Sequence, residues 1–200
     1  MNPFSDSDGE MLVRTARSCV TEYLKTGRRP PLSDDFRSRF SFNSGVFVTI
    51  SKDENLRGCI GFPTPERKLY QSLADAAVAA ATEDPRFPPV LHGELGEVSF
   101  EVTLLTPPEV VRVRDPSEYP SMIRVGRDGL IVRWEYGSGL LLPQVPVEYG
   151  WNEEEFLSHT CQKAGAPPDA WRLKSTMILR FEGIVFKETE PSGPVARADL

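Results

Sequence analysis

The stretch GEVSFEVTLLTPP, residues 96–108, fixes more about this chain's architecture than any other. Val98, Phe100, Val102 and Leu104 alternate with Glu97, Ser99, Glu101 and Thr103. Successive side chains of a strand point to opposite faces, so this run is one apolar face and one polar face. A strand of that kind belongs in an antiparallel sheet with helices laid over a single side. A parallel sheet, buried on both faces, would read as a continuous apolar run instead.

The rest of the chain supplies matching pieces. GVFVTISKDENLRGCIGF, residues 45–62, reads as a hairpin, with strands over 46–50 and 56–62 and a polar turn between. GLIVRWEYGSGLLL, residues 129–142, reads as a second hairpin, its turn at GSG. Three helices are marked. The first opens on a capping box of Ser7 and Glu10, carries Leu12, Ala16, Cys19, Val20, Tyr23 and Leu24 on one stripe, and stops at Gly27. The second takes Thr64 as N-cap and Pro65 at its first position, and shows a stripe of Leu69, Leu73, Ala76, Ala77 and Ala80 before DPRFPP ends it. The third is capped by Asn152 with Glu155 and buries Phe156, Leu157, Thr160, Cys161 and Ala164, which leaves His159 on the surface. Residues 110–113 suit a short strand and 116–123 a short helix or loop. Met177–Lys187 is a final strand.

Gly45 and Leu56 stand eleven residues apart, as do Gly129 and Leu140, so hairpin and helix recur. This register equates Cys59 with Pro143 and Ile60 with Gln144. The expected architecture is α+β: two related halves, 7–115 and 116–189, sharing a mainly antiparallel, curved sheet flanked by helices. They form one domain over residues 1–189, with a frayed tail at 190–200.

Composition narrows the function classes. The 200 residues carry 23 Lys and Arg against 29 Asp and Glu, a net charge of −6, which argues against a nucleic-acid partner. No apolar run approaches the ~20 residues needed to span a bilayer, and the N-terminus lacks the basic and apolar regions of a secretory signal. Three scattered cysteines without a C-x-x-C pair, and only two histidines, suit a reducing cytoplasm and give no zinc signature. Nothing points to a particular cofactor or oligomeric state.

Cys59 is the one thiol off a helical core stripe. Strand alternation puts Arg57, Cys59 and Gly61 on one face and Leu56, Ile60 and Phe62 on the other, with Arg57 roughly 7 Å from Cys59 between Cα atoms. A cation there, joined by Arg86 from the DPRFPP loop, lowers a thiol's pKa and prepares a nucleophile or redox group. Gly58 and Gly61 open space for a ligand or for the protein's own backbone. Both meanings fit the residues: a reactive thiol in a groove, or a tight bend where the small-residue helix packs.

LRGCIG, DPRFPP with a following EL, EVSFEVTLLTPPE and LLPQVPVEYGW, in that order along nearly the whole chain, resemble the AMMECR-type domain family. The resemblance implies the α+β fold just described. Its positions carry over to Arg57, Gly58, Cys59, Gly61, Arg86, Glu94, Pro143, Gln144 and Glu148. Gln144 stands where some members have an acid, and neither histidine lies in a matched motif. The association of such domains with Memo-like and radical-SAM proteins implies a redox or radical-linked pathway, and other members are viewed as regulatory binding proteins. Three functions follow. In the first, Cys59 with Arg57 forms a catalytic pair in a groove lined by Gly58, Gly61, Arg86, Gln144 and Glu148, acting on a small molecule or a protein. In the second, the same groove binds a partner without turnover. In the third, LRGCIG is purely architectural.

Overall fold

The computed structural model describes residues 4–198. They include six α-helices and eight strands, and every strand pairing given below is antiparallel, an α+β fold with helices packed on the strands. The chain divides into two compact units. One holds the residues up to Leu105 together with those from Ile184 onward, and the other spans Thr106–Gly183. The final long strand therefore contributes to both, a division that differs from halves split near residue 115.

In the first unit, helix α1 (Asp6–Thr26) and the short α2 (Asp34–Arg39) precede the hairpin β1 (Val46–Lys52) and β2 (Asn55–Phe62). Helix α3 (Leu69–Thr82) and strand β3 (Val98–Leu105) follow. β1 lies between β2 and β3. Val46, Val48 and Ile50 of β1 and Val98, Phe100, Val102 and Leu104 of β3 are buried in one core with Leu12, Ala16 and Cys19 of α1 and Leu73, Ala77 and Ala80 of α3. The alternation of residues 97–104 thus places its apolar side against these helices.

Several local details differ from the sequence expectation. The capping box of α1 is Ser5 with Asp8, not Ser7 with Glu10: Ser5 Oγ accepts from the Asp8 amide at 3.2 Å, and Asp8 Oδ2 accepts the Ser5 amide at 2.8 Å. Asp8 is also held by Arg39, whose Nε donates to it at 2.7 Å, and that tie selects the earlier pair. Helix α3 begins at Leu69 rather than beside Thr64. The Leu69 and Tyr70 amides donate to Phe42 O and Phe40 O, so residues 64–68 are spent reaching that earlier segment. Gly27 ends α1 in the left-handed region, φ +72°, as its position demanded. The segment expected to fray from residue 190 turns at Ser192, and β8 (Val195–Ala198) pairs with the end of β7 (Met177–Glu188).

The second unit contains β4 (Glu109–Val110), α4 (Tyr119–Met122), and the hairpin β5 (Asp128–Trp134) and β6 (Gly137–Leu141). Helices α5 (Gln144–Tyr149) and α6 (Glu153–Lys163) follow. β5 pairs with β6 on one side and with residues 177–182 of β7 on the other, and β4 pairs with β7 at Arg180 and Leu179. α6 packs on this hairpin around Leu130, Val132, Phe156, Leu157, Cys161 and Trp171. Its Asn152–Glu155 capping box is as expected. The two hairpins turn at 53–54 and 135–136, so their first strands are offset by 82 rather than 84 residues, and their second strands, past one extra residue in β2, by 81. By ladder position Cys59, opposite Thr49, corresponds to Leu140, opposite Ile131, and not to Pro143.

Candidate functional site

The Cys59 region is built by β2 and the loop after α3. The ladder between β1 and β2 shifts between Ile50 and Ser51, so Arg57 is an extra residue: Gly58 pairs with Ile50, but Leu56 pairs with Ser51. This bulge breaks the alternation inferred from the sequence. Ile60 and Phe62 pack against the core as expected, while Leu56 is exposed. Arg57 is not a neighbour placed to act on the thiol. Its Nε and Nη2 donate to Glu94 at 3.2 and 3.1 Å, and its Nη1 and Nη2 donate to Pro88 O and Pro89 O at 2.8 and 3.3 Å.

The two glycines also have internal neighbours. A Cβ on Gly58 would lie 2.1 Å from Ala80 O, and one on Gly61 would lie 2.4 Å from the Phe47 ring. Gly58 therefore lets α3 approach β2 backbone to backbone, and Gly61 lets Phe47 lie across its strand partner.

Asp84 and Arg86 close the edge of β2. Asp84 Oδ2 accepts the Cys59 amide at 2.8 Å, and Arg86 reaches Cys59 O at 3.5 Å. Arg86 is forked onto Asp84, Nε to Oδ1 at 3.0 Å and Nη2 to Oδ2 at 2.7 Å. That guanidinium holds the Asp84 carboxyl well below the usual carboxylate range, with the Cys59 and Arg86 amides adding to it. An edge strand with open amides invites unwanted pairing, and here an aspartate occupies the position. LRGC and DPRFPP are thus each other's partners.

A depressed folded-state pKa means that the native protein binds fewer protons than the unfolded chain, so stability rises with pH across the interval between the two values. The Asp84 contribution is present above its unfolded pKa of about 3.9 and is lost as pH falls from there toward the folded value. We expect Asp84→Asn to lower the urea midpoint at pH 7 and to narrow the difference from wild type at pH 3. A constant difference across that range would remove this role.

On the sheet face turned away from α1 and α3, Cys59, Thr49 and Glu101 form one row across β2, β1 and β3. All three are half-buried. The Thr49 hydroxyl lies 3.3 Å from Cys59 Sγ. Burial pushes the Cys59 thiol pKa up, against smaller opposing effects from Thr49 and Arg86. Burial also raises the Glu101 carboxyl above its usual range, opposed by Lys187 and Thr103. Beside Glu101 a cavity of about 500 Å³ is lined by Ser51, Glu54, Ser99, Lys187 and Glu190 among others. The row offers a thiol and a hydroxyl as neutral hydrogen-bond donors, with a carboxyl beside them, rather than an activated thiolate. The other two thiols are core, as read from their stripes, and burial pushes both up to about 11.

Gln144 and Glu148 lie in the second unit, both on α5. Gln144 Oε1 is buried without a hydrogen-bond partner, and Glu148 is exposed. His159 is not a free surface residue: its ring stacks on Trp151 at 3.8 Å between centroids. Thr49, Asp84 and Glu101 were not singled out from the sequence. The aspartate was visible inside DPRFPP, and Glu101 sat among the polar positions of β3, but only the ladder register aligns Thr49 and Glu101 with Cys59. Among the described residues no group of three or more His, Cys, Asp or Glu side chains is arranged to hold a metal ion, and no helix is long and apolar enough to cross a membrane.

A family model described as AMMECR1 matches residues 13–186. A protein of Methanothermobacter thermautotrophicus is 50% identical over 186 residues, covering 93% of this chain and 97% of its own length. One from Thermococcus gammatolerans is 49% identical over 205 residues, covering both chains completely. The crystal structure of the uncharacterized protein PH0010 from Pyrococcus horikoshii is similar with a TM-score of 0.85 at 48% identity, covering 98% of this chain and 99% of that one.

Proposed function

The chain belongs to the AMMECR1 family, and from that premise we propose that it works as a non-catalytic binding module. Its ligand, a small polar molecule or a segment of a partner protein, lies against the face that carries Thr49, Cys59 and Glu101. One observation carries this reading: both arginines that would activate Cys59 are engaged by carboxylates, Arg57 by Glu94 and Arg86 by Asp84. A thiol raised by burial and beside a hydroxyl is a poor nucleophile at neutral pH and a serviceable hydrogen-bond donor. Glu101, in the same row, adds a carboxyl whose oxygens accept hydrogen bonds. LRGCIG and DPRFPP act as the frame that keeps this face rigid.

The test is the rate of Cys59 carboxamidomethylation by iodoacetamide against pH, read by mass spectrometry and assigned with Cys59→Ser. The expected rate at pH 7 is below about one tenth of that of a free cysteine, and it climbs only above the ordinary thiol pKa of about 8.5. A fast reaction with a plateau below pH 7.5 would overturn the binding-module reading. It would favour the other one, in which Cys59 is a nucleophile or redox thiol. What supports that second reading is exposure: Cys59 is the one cysteine of three that is not fully buried.

A further inference from the structure

At the C-terminal end of α5 the chain builds a ladder of three rings. Gly150, in the left-handed region at φ +67°, turns the backbone so that the Trp151 amide donates back to Pro146 O at 2.8 Å. The Trp151 indole is left between two other rings. On one side it stacks on His159 of α6, at 3.8 Å and 12° between planes, and on the other on Tyr149, at 4.9 Å and 16°. The ladder therefore runs outward from a half-buried histidine to a tyrosine that is 69% exposed. An aromatic ring held parallel at the surface by a stack beneath it presents its electron-rich face in a fixed direction.

The charged residues nearest this ladder in sequence, Glu148, Glu153 and Glu154, are acidic. Glu148 is exposed and makes no hydrogen bond or ion pair among the described residues. Glu153 and Glu154 open α6, two and three residues after Trp151. Arg172 meets Glu154 at 3.4 Å, but its guanidinium lies over the Trp171 ring at 4.3 Å, not over the ladder. Elsewhere this chain covers its own rings with arginine: Arg17 lies over Phe100, Arg37 over Tyr70, Arg67 over Phe62, Arg86 over Phe87 and Arg197 over Phe186. Tyr149 and Trp151 have no such cation among the described residues, although they have the free carboxylate that one would need.

We propose that this ladder is a docking site for an arginine side chain of a partner polypeptide. The guanidinium lies flat on the outer face of Tyr149 and donates to the Glu148 carboxylate. Charge complementarity selects the occupant. Carboxylates beside the rings repel nucleotides and other anions, and a planar, weakly hydrated guanidinium stacks on a phenol face while keeping its donors free in the plane, which a lysine ammonium does not do. This site is in the second unit and does not depend on the reading of Cys59, so either stands if the other fails.

The experiment titrates the full chain with the amidated, acetylated peptide Gly-Arg-Gly-Arg-Gly and follows the Trp151 indole NH by NMR. Lysine and citrulline versions of the peptide serve as controls. The arginine peptide is expected to shift the Trp151 signal saturably, with the lysine peptide at least about threefold weaker and the citrulline peptide silent. Tyr149→Ala and Glu148→Gln should each weaken arginine-peptide binding about two- to fivefold, the scale of losing one exposed cation–π contact or charge pair. Both residues are exposed, and an unchanged spectrum for the rest of the second unit confirms that each variant is folded. Three results would overturn the proposal: no saturable shift at millimolar peptide, equal binding by Tyr149→Ala, or equal binding of arginine and lysine peptides, which marks mere charge attraction. A Trp151 shift that depends on protein concentration without peptide would do so as well, since it assigns the ladder to a second copy of the chain.

Discussion

Arg17→Met is expected to destabilise the protein by about 3–5 kcal/mol, the usual cost of stranding one member of a buried ion pair. The partner is Glu188, whose side chain is wholly buried. Arg17 Nε and Nη2 donate to its Oε1 at 2.7 Å and its Oε2 at 2.5 Å, while Nη1 holds Leu95 O at 2.9 Å and Nη2 also holds Val98 O at 2.6 Å. The Phe100 amide donates to Glu188 Oε2 at 3.0 Å, and Arg14, much more exposed, reaches Oε1 at 3.3 Å. Removing Arg17 leaves a buried carboxylate served mainly by Arg14 and uncovers the Phe100 ring, over which its guanidinium sits at 4.6 Å. For a chain of this length the loss corresponds to roughly 10 °C in the melting temperature. The double variant Arg17→Met with Glu188→Met should recover a good part of it, because no charge is then left without a partner. Urea denaturation of the three proteins decides the matter. A single variant within 1 kcal/mol of wild type, or a double variant worse than Arg17→Met, would show that the pair is not what holds α1 to the end of β7.

Gly58→Val is the second large effect, about 3 kcal/mol or more, with Gly58→Ala somewhat milder. The backbone angle there is ordinary, so the cost is steric: the new Cβ arrives 2.1 Å from Ala80 O, and a backbone carbonyl in the last turn of α3 has no rotamer to escape into. α3 must move off β2 or β2 must bend, and either motion opens the core around Leu73, Ala77 and Val48. Gly93→Ala is the matched control, since a Cβ there meets nothing within 4 Å. Equal denaturation midpoints for the Gly58 and Gly93 variants would show that α3 and β2 are less tightly apposed than the contact implies.

Much of the fold is legible in the chain because periodicity and capping are local. Residues 98–104 alternate and are a strand with one face on the core. Asn152 and Glu155 sit three apart and cap α6, and Gly27 stops α1. Where sequence reading failed, the deciding partner was distant. Ser5 rather than Ser7 caps α1 because Asp8 is also claimed by Arg39, thirty-one residues away. α3 starts late because its first amides go to Phe40 and Phe42. The candidate site was half legible for the same reason. Cys59, Arg57 and Arg86 stand out from their motifs, but a one-residue bulge, invisible in composition or spacing, turns Arg57 onto Glu94 and the prolines. The neighbours of Cys59 that matter, Thr49 and Asp84, come from another strand and another loop.

The make-up of the first unit has a consequence for how the chain is produced on the ribosome. That unit needs Ile184 onward, so the core around Phe100 and Phe186 and the socket for Arg17 lack pieces until residues 184–188 are polymerised. The second unit, Thr106–Gly183, is continuous and is complete earlier. During synthesis, α1 and the first hairpin must wait through about eighty residues of someone else's folding, at roughly 5–20 residues per second several seconds or more, with an apolar stripe still seeking its last strand. A released chain ending at Gly183 should therefore expose α1 to chaperones and proteases, while its later-made middle is protected.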